Sequence, residues 1–113
     1  MEGQGTMHYG NGDVYEGAWE NVQPNGQGTY TWAEDGRTYT GEWANGYTNG
    51  WGTMTYSNGD IYTGEWVNGY INGQGTYNWA NGDQYVGSFA NGNMSGEGTY
   101  TFANGETIHK TDW

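Results

Sequence analysis

Residues able to do acid–base or nucleophilic chemistry are few in this chain, and they do not converge. The two histidines, His8 and His109, sit at different phases of the sequence pattern and near opposite ends. Ser57, Ser88 and Ser95 have no His or acid at a spacing that would make a nucleophile–base pair. There is no Cys, which excludes disulfides, thiolate metal sites and Cys nucleophiles. The Gly-x-Gly segments have no helix after them and are not phosphate cradles. Carboxylates are more plentiful. Glu42 and Glu65 occupy equivalent positions about two strand spacings apart, roughly 10 Å, too far for one metal ion to be held by both. Asp13, Asp60, Asp83 and Glu106 form a second series, interrupted by Arg37. They read as a solvated acidic edge that keeps the protein soluble, with a docking row for a basic partner as the functional alternative. These residues predict no catalytic site, no metal site and no cofactor.

The remaining chemistry is aromatic. The chain holds 7 Trp and 11 Tyr among 113 residues, beside 23 Gly and few aliphatics. Each aromatic can bury roughly 150–250 Å², so these rings must supply the core. Those left over can line a surface that stacks on a peptide or a sugar. Thirteen acids against two bases, Arg37 and Lys110, give a net charge of −11. That excludes phosphate-backbone recognition and argues against docking on an anionic membrane. No apolar run approaches the roughly 18 residues of a membrane span, and the first residues lack a signal peptide's basic and apolar regions. The expected location is therefore intracellular, cytoplasmic or cytoskeleton-associated.

The elements that position the rings repeat. Tyr-x-Gly-x-aromatic occurs at Tyr15-Gly17-Trp19, Tyr39-Gly41-Trp43, Tyr62-Gly64-Trp66 and Tyr85-Gly87-Phe89, at spacings of 24, 23 and 23. Gly-x-Gly-Thr precedes each block and recurs once more, starting at Gly3, Gly26, Gly50, Gly73 and Gly96. Asn-Gly or Asp-Gly falls between paired segments at residues 11–12, 35–36, 58–59, 81–82 and 104–105, and supplies the positive φ of tight hairpin turns. Five hairpins result, at about 3–19, 27–43, 51–66, 74–89 and 97–111 within one array over 1–113, joined by wider loops such as 45–49. Period-2 alternation puts Tyr15, Gly17, Trp19, Gly28, Tyr30 and Trp32 on one face, and Glu16, Thr29, Thr40, Glu42, Thr63 and Glu65 on the other. The predicted fold is all-β: an elongated single-layer antiparallel meander about 45 Å long at roughly 4.8 Å per strand. Residues 108–113 depart from the pattern and are expected to cap the array.

Tyr-x-Gly-x-Trp followed by Gly-x-Gly-Thr at this period resembles the MORN repeat (membrane occupation and recognition nexus). The resemblance implies that the Tyr, Gly and aromatic positions above are structural. It also implies a protein-interaction scaffold of the kind found in cytoskeletal or ciliary assemblies, often dimeric or larger. The family's phospholipid association does not carry over well. Many such repeats have Lys or Arg just after the Trp and after the next Gly, where this chain has Ala44, Val67 and Ala90, then Tyr47, Tyr70 and Asn93. The expected function is a non-catalytic structural or interaction scaffold, with partners that are proteins, including a second copy joined through the open edge strands. The alternatives are a lipid-binding module, a peptide- or carbohydrate-binding module, and a consensus-like designed chain. The candidate binding residues are Tyr47, Trp51, Tyr70 and Ile71, expected as an exposed apolar strip in the loops, and Trp113, expected as an anchor at the last edge.

Overall fold

Alternating Thr, Tyr and Gly residues form ten strands in the computed structural model, which describes residues 3–21 and 23–113. Met1 and Glu2 of the expected array, and Val22, lie outside the described residues. The strands are β1 (Gly3–His8), β2 (Val14–Glu20), β3 (Gln23–Thr31), β4 (Thr38–Ala44), β5 (Tyr47–Thr55), β6 (Ile61–Val67), β7 (Tyr70–Asn78), β8 (Gln84–Ala90), β9 (Asn93–Thr101) and β10 (Thr107–Lys110). They make one open antiparallel sheet in sequence order. Its longest dimension, 48 Å, agrees with the length expected from strand count.

The two kinds of turn are the reverse of the sequence expectation. The joints expected to be wide loops are the tightest in the molecule. Ala44 pairs Tyr47 across Asn45-Gly46, and both turn residues have positive φ (52° and 85°), the type I′ geometry that matches strand twist. Asn68-Gly69 and Asn91-Gly92 repeat it. Within the other set only Gly is left-handed. Gly12 N–H donates to Tyr9 C=O (3.0 Å) and Tyr9 N–H to Asp13 C=O (2.9 Å), a three-residue loop ending in a Gly bulge. Asn11 instead accepts the Asp13 amide on its side chain (3.0 Å), the local bond that makes Asn a turn former. The extra residue of 33–36 is absorbed in the loop, where Gly36 N–H donates to Trp32 C=O.

The core is a ladder. Tyr15, Tyr39, Tyr62 and Tyr85 are fully buried, with Trp19, Trp43, Trp66 and Phe89 beside them. Each Tyr meets the aromatic of its own hairpin and of the next edge to face: Tyr39 lies 5.2 Å from Trp43 and 5.2 Å from Trp66, with planes 85° and 89° apart. Each Tyr hydroxyl donates to a bulge carbonyl, as Tyr39 does to Glu42 (2.9 Å). Each Trp indole donates across the hairpin, as Trp43 does to Gly28 C=O (3.2 Å). Gly is required where the Tyr crosses the backbone, since a Cβ at Gly52 would overlap Tyr39 Oη and Cζ. The register slips by two residues at Gly17/Trp19, Gly41/Trp43, Gly64/Trp66 and Gly87/Phe89. Bulges there strengthen twist, and the type I′ turns of successive repeats come together. Gly46 N–H donates to Pro24 C=O, Gly69 to Thr48 and Gly92 to Ile71.

Candidate functional site

The aromatic face is lined by rings contributed two strands apart, and a repeated polar contact ties them together. Asp13 accepts the Tyr30 hydroxyl (2.6 Å) and the Ala33 amide (2.8 Å). Asp60 does the same with Tyr77 and Ala80 (2.8 Å each), and Asp83 with Tyr100 and Ala103 (2.6 and 2.8 Å). Each carboxylate thus staples its own hairpin to the next. This corrects the expectation of a solvated acidic edge: Asp13 and Asp60 are buried, Asp83 is half-buried, and only Glu106 of that series is exposed. The Tyr30 hydroxyl and the Ala33 amide hold the Asp13 carboxyl below its usual range. At Asp60 burial pushes upward, but the bonds from Ala80, Tyr77 and Asn58 outweigh it and the carboxyl is again lowered. Immediate neighbours cover these carboxylates, yet the sheet is one layer thick, so little protein lies beyond them.

The second hairpin lacks the staple at both ends. Arg37 stands where the Asp would be, and Met54 stands 17 residues on, where the Tyr would be. With one ring missing the aromatic surface opens into a cleft of about 510 Å³. It is lined by Trp32, Trp43, Tyr56, Trp66 and Tyr77 together with the buried Met54 and Ile71. Arg37 lies near one end, over the Trp32 ring (4.5 Å) and 3.4 Å from an Asp35 carboxylate oxygen. Thr48 lies at the other, beside the Asn45-Gly46 turn. Arg37 Nε is met by the Asp35 carboxylate alone, whereas the buried Thr48 Oγ1 has no hydrogen-bond partner, an arrangement that costs free energy unless something else satisfies it. Thr38 and Trp43 bracket this span, so the cleft is about five strand residues long, roughly 17 Å.

The expected apolar strip is split by the structure. Tyr47 and Tyr70 are exposed and flank the cleft. Ile71 is only 7% exposed and belongs to the core, opposite Trp66 in the ladder. Strand β7 already begins at Tyr70, so alternation turns Ile71 inward. Trp51 is exposed (54%) but on the polar face, where its amide donates to Glu42 (2.7 Å). Glu65 accepts the Gln74 amide in the same way (3.0 Å). Trp113 is not a free anchor. Its indole donates to Gly98 C=O (2.8 Å) and its ring meets Tyr85 at 88°, the place a repeat Trp takes, one residue late. Arg37, Met54 and Thr48 are the cleft residues that sequence reasoning missed. The signal was present in a column-by-column comparison of repeats, in which residues 37 and 54 depart together.

Among the described residues no group of three or more acidic or imidazole side chains is placed to hold a metal ion, and no helix is long and apolar enough to cross a membrane. A family model described as MORN repeat matches residues 1–14, 15–37, 39–61, 62–84 and 85–107. Four of its units run from the Tyr of one hairpin to the loop of the next, so its frame straddles the hairpins. No curated protein matches. Among solved structures, one described as the SAS-4 (dCPAP) TCP domain in complex with a proline-rich motif of Ana2 (dSTIL) of Drosophila melanogaster is similar at 17% identity. The likeness covers 97% of this chain and 72% of that one, with a TM-score of 0.38.

Proposed function

We propose, from the premise that this chain belongs to the MORN-repeat family, that it is a non-catalytic interaction module whose aromatic cleft holds an extended segment of a partner protein. The repeats of this family are generally non-enzymatic. One observation carries the reading: where Arg37 and Met54 replace Asp and Tyr, the stapled aromatic face opens, and the buried Thr48 Oγ1 is left without a hydrogen-bond partner inside an otherwise apolar cleft that has the Arg37 guanidinium at its other end. The segment that fits is about five extended residues, apolar or aromatic along its length, with an Asp, a Glu or a terminal carboxylate at the Arg37 end. Thr48 offers a hydroxyl to its backbone. A sugar would need more convergent polar groups than these, and the net charge of −11 weighs against a lipid headgroup.

The test is a Trp-fluorescence titration with short peptides of this pattern, with and without the acid. The double substitution R37D/M54Y rebuilds the staple and fills the cleft with a ring. The expected result is saturable binding by the wild type, weakened at least tenfold by removing the acid and lost in R37D/M54Y. Equal binding by the folded R37D/M54Y protein would show that the cleft is not the site.

A further inference from the structure

We propose that Lys110 and Ile108 close the last edge of the sheet against any further strand of this kind, so that copies of the chain do not add head to tail. Inside the array a Tyr-x-Gly-x-Trp strand receives its successor through facing glycines: Gly17 pairs Gly28, Gly41 pairs Gly52, Gly64 pairs Gly75 and Gly87 pairs Gly98. The approach leaves no room for a side chain. A Cβ on Gly87 would lie 2.5 Å from Gly98 Cα and 2.5 Å from the Glu97 carbonyl oxygen, and one on Gly41 would collide with Gly52 Cα and sit 2.6 Å from the Trp51 carbonyl oxygen. At Gly17, Gly41, Gly64 and Gly87 the backbone atoms met belong to the following strand, never the preceding one.

Lys110 occupies this position in β10. It pairs backward with Gly98, as Gly17, Gly41, Gly64 and Gly87 pair with the strands before them, and at those equivalent positions a Cβ meets the following strand. The Cβ direction also crosses the path of the repeat Tyr: at Gly41 and Gly87 the nearest hydroxyl would be 2.9 and 2.8 Å away. A side chain at 110 and a Tyr at 108 therefore exclude each other, and residue 108 is Ile, 43% exposed. The ammonium of Lys110 folds over Trp113 (4.9 Å). The opposite edge keeps Gly3-Gln4-Gly5-Thr6, the sequence that receives a Tyr-x-Gly-x-Trp strand elsewhere. The sheet has one edge built to receive and one that cannot join, as edge protection by Lys requires, and a heterologous contact between copies is blocked.

The experiment is sedimentation velocity over a wide concentration range on the wild type, K110G, I108Y/K110G and K110A. Lys110 is exposed, so K110G and K110A keep the fold, which circular dichroism verifies for each variant. The wild type and K110A should show no head-to-tail species. K110G and, more strongly, I108Y/K110G should reach weight-average masses beyond twice the monomer's. Cysteine pairs identify the contact, because the chain has no Cys. Mixed T6C and H109C chains should cross-link in the K110G background and not in the wild-type one. Cross-linking without K110G would overturn the proposal. So would association of K110A equal to that of K110G, which would make charge the barrier rather than Cβ. A folded I108Y/K110G that stays monomeric would overturn it as well.

Discussion

Gly52→Ala is the sharpest test of the ladder. An added Cβ would overlap Tyr39 Oη and Cζ, and even the third-nearest atom, Tyr39 Cε2, would be 2.6 Å away. Tyr39 is fully buried and held on both sides, so it cannot swing aside cheaply. Displacing it costs about 1–3 kcal/mol of overpacking. It also loses the hydroxyl bond to Glu42, worth about 1 kcal/mol. The two edge-to-face contacts weaken as well, each contributing about 0.5–1.5 kcal/mol beyond buried area. The expected destabilisation is about 4 kcal/mol, a large part of the roughly 5–15 kcal/mol that holds a small protein folded. Urea unfolding followed by Trp fluorescence measures it. Gly10→Ala is the control: nothing lies within 4 Å of the added atom, and the change should stay within about 0.5 kcal/mol. Tyr39→Phe removes the atom that clashes most, so Gly52→Ala/Tyr39→Phe should be less destabilised than the sum of the single changes. A loss under about 1 kcal/mol for Gly52→Ala, or strict additivity in the cycle, would refute the account of Tyr lying on Gly.

Three further outcomes are expected. Asn68 has φ 48° in a two-residue turn, so Asn68→Ala should cost about 1 kcal/mol and Asn68→Gly much less; equal midpoints in urea would contradict the turn assignment. Asp60 is held below the ordinary value of 3.8 in the fold. Its stabilising contribution is therefore present above that value and is lost as pH falls through the folded pKa. Asp60→Asn should flatten the fall of stability below about pH 4, and an unchanged slope in acid titrations of the unfolding midpoint would count against the staple. Burial pushes Tyr15 up to about 12 from an ordinary 10.0, so its contribution holds below pH 10 and fades as pH rises toward 12. Absorbance should show phenolate forming with unfolding there; Tyr15 titrating near 10 in the folded protein would be inconsistent with its place in the core.

The strand pattern, the faces and the ladder residues were legible because all rest on period-2 alternation and on where Gly can be tolerated. The turns were not, because Asn-Gly serves two geometries. At Asn58-Gly59 the Asn side chain accepts the Asp60 amide (3.0 Å) and only Gly is left-handed, whereas at Asn68-Gly69 both residues are. The dipeptide is the same, and its backbone is set by the flanking strands and the register in which they pair. Reading 45–49 as a loop removed the parity that sends Thr48 and Ile71 inward. Trp113 was missed because one extra residue before it restores the ring to its place opposite Gly98. The Asp staples look like turn polarity in one dimension, since their Tyr partners lie 17 residues away, a separation no local pattern reports.

The cleft and the closed edge arise from one property of the array. Each inter-repeat contact takes its two halves from different hairpins, so changing one half strands the other. An Asp at 37 facing Met54 would be a covered carboxylate without its hydroxyl, and a Tyr at 54 facing Arg37 would lose its acceptor. The two positions have changed together, and the result is an opening that remains compatible with the fold. At the last edge Ile108 and Lys110 have also changed together, because a repeat Tyr leaves no space for a side chain two residues on. A repeat protein built this way acquires individuality by paired departures. Function is then to be sought where two columns break in step, at 37 with 54 and at 108 with 110, more than in the conspicuous loop aromatics such as Trp51. Replacing Trp51 with Ala should accordingly leave both peptide binding in the cleft and the urea midpoint nearly unchanged. A tenfold loss of binding in Trp51→Ala would move the interaction to the polar face and reverse this ordering.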